Sequence, residues 1–171
     1  MWANTINNFL YTNLGYDSNL GLDRHFLQSA KDNGKTIYEI ESVEAQYDML
    51  SGFSKELQAF MLEDAVETYN DKKAKEAIEK LIKSWYNGDE QGIIESNTAD
   101  TSECTEEEKA LLEEYNNAIL TKRNIAMTDY AEKALQTDKD VFICVGAAHI
   151  VGDGAIVDLL CERGYEVTKV K

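Results

Sequence analysis

Four residues of this 171-residue chain are of types that could do chemistry together: Glu41, Arg123, Asn124 and His149. His149 closes the run Gly146-Ala147-Ala148-His149. An imidazole there can ligate a metal or move a proton near neutral pH. A carboxylate such as Glu41 in the same cleft can share a metal with it or activate water. Arg123 and Asn124 interrupt the apolar face of a long helical pattern, and such a pair can hold a carboxylate or a developing oxyanion. Each residue also has a plainer reading. His149 reads as a local hydrogen-bonder, Glu41 as a solvated strand end and Arg123 as a surface cation. Glu39 and Glu44 are weaker candidates, and Glu44 suits a helix start. His25, beside Arg24, reads as surface, and Trp2 and Trp85 as packing.

The elements that must position these residues are mostly helices. Leu22, Phe26, Leu27 and Ala30 share one face of a helix over 19–33, with Gly34 as its stop. A short helix over VEAQYDML ends near Gly52. Residues 54–87 carry helical spacing throughout, with a turn expected at NDKK, 70–73, and a stop at Asn87-Gly88-Asp89. The polar stretch 93–105 reads as a loop. Thr105 and Glu108 have capping-box spacing, and one long helix is expected from there to about Gln136. Three segments read as strands: KTIYEIE at 35–41, the apolar run DVFICVG at 140–146 and the alternating YEVTKV at 165–170. The helix AIVDLLCER lies between the last two, which predicts a parallel pair with a right-handed crossover. The expected fold class is therefore α/β and helix-rich, with a small, largely parallel sheet of about three strands covered by long helices. Strands 36–41 and 140–146 as parallel neighbours would place Glu41 and His149 on one rim, where α/β sheets bind ligands.

Lys plus Arg number 17 against 32 Asp plus Glu, a net charge of −15. That argues against nucleic acid and against a basic membrane-surface helix as partners. No run of 18 apolar residues is present, so no transmembrane segment is expected. Cys104, Cys144 and Cys161 are odd in number and form no CxxC pair, so no disulfide framework or zinc knuckle is expected. Cys144 and Cys161 read as buried thiols. Residues 1–18 read as a leading helix or as the start of a piece cut from a longer protein, and 1–171 as a single domain with no second one.

The segments GLDRHFLQSAKDNGKTIYEIESVEAQYDML, LIKSWYNGDEQGI, KRNIAMTDYAEKAL and VFICVGAAHIVGDGAIVDLLCERGYEVTKV, in that order, resemble the TraB/GumN family from about Gly21 onward. This family includes the pheromone-shutdown proteins TraB and PrgY and, more distantly, the TIKI proteases. Its two GxxH motifs have acidic residues between them. Gly146–His149 matches the second motif, Glu41 the glutamate of the IES segment, and Arg123-Asn124 the RN pair. The first GxxH and the acidic strand after it have no counterpart here. The resemblance therefore implies the C-terminal, incomplete half of a TraB/TIKI-like domain. It implies metal-dependent hydrolysis of a peptide or small-molecule substrate, with Mn, Co or Zn as the divalent metal. His149 and Glu41 would be metal ligands, Glu41 would activate water, and Arg123 with Asn124 would stabilise negative charge. The isolated chain is expected to be inactive, to hold metal only weakly and to associate as a homodimer or larger species. The alternative is a non-catalytic, peptide-binding or sequestering protein. Family members are often extracytoplasmic or membrane-associated.

Overall fold

The computed structural model describes residues 2–69 and 71–170. The elements in chain order are α1 (Trp2–Asn13), α2 (Leu22–Asp32), α3 (Val43–Ser51), α4 (Lys55–Thr68), α5 (Lys72–Asn87), α6 (Glu90–Asn97), α7 (Glu106–Asn116), a π-helical turn Asn117–Thr121, α8 (Lys122–Leu135) and α9 (Ile156–Glu162). Short 3₁₀ turns cover Ser18–Leu20 and Ala147–His149. No described residue lies in a β-strand, so the fold is all-helical and the expected α/β sheet is absent. Segments 35–39, 140–146 before the 3₁₀ turn, and 165–170 have no regular structure. A strand exists only through a neighbour's backbone groups, and no ladder forms among the described residues. Val141 and Phe142 are exposed, so the run 140–146 is not buried on two faces. No described helix is long and apolar enough to cross a membrane.

The helices start and stop where short polar side chains and glycines dictate. Ser42, Ser54 and Asp89 cap α3, α4 and α6 by accepting from Ala45, Leu57 and Gly92 amides. Thr105 and Glu108 form the full capping box of α7: the Glu108 amide donates to Thr105 Oγ1 at 3.2 Å, and Glu108 Oε2 accepts the Thr105 amide at 2.7 Å. Of the turn expected at NDKK, Asn70 lies outside the described residues, Asp71 precedes α5, and Lys72 and Lys73 already belong to that helix. The stretch expected as loop from 93 is instead helical to Asn97, because the Asp89 cap outweighs its polar composition. Gly92 permits the close α5–α6 turn: a Cβ there would lie 2.2 Å from Ser84 Oγ.

The chain divides into two compact units, Met1–Glu79 and Lys80–Lys171. In the first, α1 packs on α4, burying Ala3, Leu10, Leu57 and Ala65. In the second, α9 packs on α8, and Ile93, Met127, Ala131, Ala155 and Ile156 are buried. Cys144 and Cys161 are exposed rather than buried. His25 is on the surface, Trp85 is 45% exposed, and Trp2 is 74% exposed beside Leu50 and Phe53.

Candidate functional site

Asn124, Met127, Thr128 and Ala131 form the buried stripe of α8, at the i, i+3, i+4, i+7 spacing of a helix face. Asn124 leads that stripe at 5% exposure, and a buried amide must find partners. Its Nδ2 donates to the Gly154 carbonyl at 2.9 Å. Its Oδ1 lies 2.6 Å from Nδ1 of His149. Its backbone carbonyl accepts from Thr128 Oγ1 at 2.6 Å, inside the helix. His149 is itself 6% exposed and ends the 3₁₀ turn, its amide donating to the Gly146 carbonyl at 2.9 Å. Among the described residues no buried side-chain nitrogen or oxygen lacks a hydrogen-bond partner.

The π-helical turn sets the register that brings Asn124 inward. The Lys122 amide donates five residues back, to the Asn117 carbonyl. One inserted residue rotates everything downstream by about 100°. Asn124 therefore takes the inward position that Arg123 would hold in an unbroken α-helix. Arg123 is half-buried instead, and its Nη1 donates to the Ile119 carbonyl at 3.1 Å, within the π turn.

α8 and α9 are clasped at both ends. Near the site, Gly154 takes φ +69°, and its amide donates to Asp158 Oδ2 at 2.7 Å. At the far end, Arg163 bridges Asp129 at 2.8 Å and Glu132 at 2.9 Å. Tyr165 donates its hydroxyl to Glu132. Desolvation, then the hydrogen bond to Glu132, raises the Tyr165 phenol above its ordinary 10.0.

The structure joins two of the sequence-derived residues, Asn124 and His149, by a hydrogen bond. Glu41 belongs to the first unit, in the irregular turn before α3, where its Oε2 accepts from Gln46 Nε2 at 3.3 Å. The strand-end placement that was to set it on one rim with His149 does not exist. The residues that sequence reasoning passed over are Thr128, Gly154 and Asp158. The signals for them were the i, i+4 step from Asn124 to Thr128 and the Gly152-Asp153-Gly154 turn before α9.

The model of the TraB/PrgY/gumN family matches residues 1–169. The chain belongs to that family. The match extends upstream of Gly21 and so includes α1. Within the matched residues, the Gly146–His149 turn and the Arg123-Asn124 pair meet through the hydrogen bond of His149 to Asn124. No curated protein matches the chain, and no solved structure does.

Proposed function

We propose that this chain carries the proton-transferring arm of a peptide hydrolase, with His149 as its general acid/base. The observation that supports this reading is the buried Asn124–His149 hydrogen bond, which holds an imidazole in one orientation at the end of a short turn. In that role a water oxygen attacks the scissile carbonyl carbon, and the water proton passes to one ring nitrogen of His149. The C–N bond then breaks, and the same proton leaves on the departing amine. Glu41 and Arg123 enter the proposal only as further members of the site, to assist the water and to offset negative charge.

The family resemblance implies a divalent metal. A resident catalytic zinc takes three protein ligands as a rule. Among the described residues no group of three or more His, Cys, Asp or Glu converges. The described residues do not fit such a metal by themselves.

The test is incubation of the protein with a peptide library, with and without added Zn²⁺, Mn²⁺ or Co²⁺, reading new peptide termini by mass spectrometry. Cleavage that disappears in His149→Ala is the expected result, and it would replace the inactivity expected from the missing first GxxH. Tight peptide capture without cleavage under every condition would replace this proposal with the sequestering reading.

A further inference from the structure

We infer that Asn124 is a positioning residue that fixes His149 as its Nδ1–H tautomer, leaving the lone pair on Nε2. This deepens the acid/base reading of His149 and rests on it. The assignment follows from what each atom can do. The Gly154 carbonyl only accepts, so the Asn124 atom 2.9 Å from it is the NH₂ group. The other end of that amide is therefore oxygen, which also only accepts. It lies 2.6 Å from Nδ1 of His149, a distance at which two acceptors repel. Nδ1 must then carry the hydrogen, and a neutral imidazole has only one. Flipping the Asn124 amide would set oxygen against oxygen at Gly154.

The rest of the chain holds that carbonyl in place. Gly154 adopts φ +69°, a conformation suited to glycine, and its amide is tied to Asp158 at the start of α9. Asn124 sits in the buried stripe of α8, with Thr128 bonded to its backbone carbonyl. Both partners of the key bond are buried, so water offers little substitute for it. In the hydrolytic step the nitrogen that takes the proton is then Nε2. The charge formed on the ring is stabilised through Nδ1–H donating to the Asn124 amide oxygen.

The tautomer can be read without substrate, metal or turnover. Two-bond ¹H–¹⁵N correlation spectra of the ¹⁵N-labelled protein would be taken well above the ordinary imidazole pKa of ~6.5. His149 is expected as Nδ1–H by about tenfold or more, which corresponds to ~1.4 kcal/mol. His25, exposed on α2, is the control whose ratio water sets. Asn124→Leu should bring His149 toward the ratio of His25. Asn124→Asp sets a carboxylate oxygen against the Gly154 carbonyl and so should be less stable, but it keeps an acceptor toward Nδ1 and should retain Nδ1–H. An Nε2–H ring in the unaltered protein overturns the inference, and so does an Asn124→Leu spectrum identical to it. Should Asn124→Leu fail to fold, the unaltered protein and Asn124→Asp decide the matter. Nδ1–H without any hydrolysis would sink the proposed function alone. Hydrolysis with Nε2–H would sink this inference alone.

Discussion

Gly146 and Gly154 lie on either side of His149, and only one of them is required by its backbone. Gly146, the first letter of GxxH, has φ −61° and ψ 145°, which any residue adopts. A Cβ there would meet His149 Cδ2 at 3.7 Å, an ordinary contact. Gly154, at φ +69°, would strain any side chain by roughly 1–2 kcal/mol. Gly146→Ala should therefore leave the urea midpoint nearly unchanged, whereas Gly154→Ala should lower it and disturb His149. Equal losses in both variants would show that Gly146 is held by something other than conformation. Glu108 offers a second check at this scale. The Thr105 backbone and side chain hold its carboxyl below the ordinary 4.5. An acid with a lowered native pKa binds its proton less readily when folded. Its contribution is full above the unfolded value and is lost as pH falls through the native one. NMR titration should find Glu108 below 4.5, and Thr105→Ala should move it back up. No change on that substitution would mean the Thr105 hydroxyl adds nothing to what its backbone amide does.

Helices of this chain were legible because their punctuation is local. Gly34, Gly52 and Gly164 follow the ends of α2, α3 and α9, and Thr105 with Glu108 opens α7. Strands were misread because alternation records which side chains want cover, not whether a neighbour supplies it. Val141 and Val167 fit strand patterns and remain exposed with no ladder. Of the site, the residues were legible and their arrangement was not. Asn124 was read as half of an anion-holding pair with Arg123, and in the structure its amide is bonded to Gly154 and His149. Nothing in NAILT announces an inserted residue, since the step from Ile119 to Asn124 shows only once the buried stripe is known. Deleting Ala118 should restore ordinary α-helical register and rotate Asn124 away from His149. The expected cost is roughly 1–3 kcal/mol, that of leaving buried polar groups unpaired. Arg163 and Tyr165 would lose their partners on α8 in the same step. A deletion variant as stable as the parent, with His149 unchanged in its tautomer, would show that the π turn does not set the site.

The chain as a whole leaves much of its apolar surface uncovered. It exposes 12716 Å². Two separate globular units of about half this mass each would together expose about 10,200 Å². The excess therefore does not depend on how the units are placed. It includes large apolar side chains: Phe142 is 70% exposed, Val170 88% and Trp2 74%. A standard protein–protein interface buries about 1,600 Å² in all, so the surplus is ample for one. The net charge of −15 opposes contact between copies, but salt screens that repulsion beyond about 8 Å at physiological ionic strength. Apolar burial, at about 25 cal/mol per Å², acts at contact and is not screened. Self-association at micromolar concentration is therefore expected, and it should strengthen as salt is added. Val170→Ser should weaken it without lowering the stability of α8 and α9, because a valine 88% exposed contributes little to either. Light scattering that reports only a 19.3 kDa species at low and high salt would overturn this. That result would mean that the segments around 140–146 and 165–170 find their cover within one chain in solution.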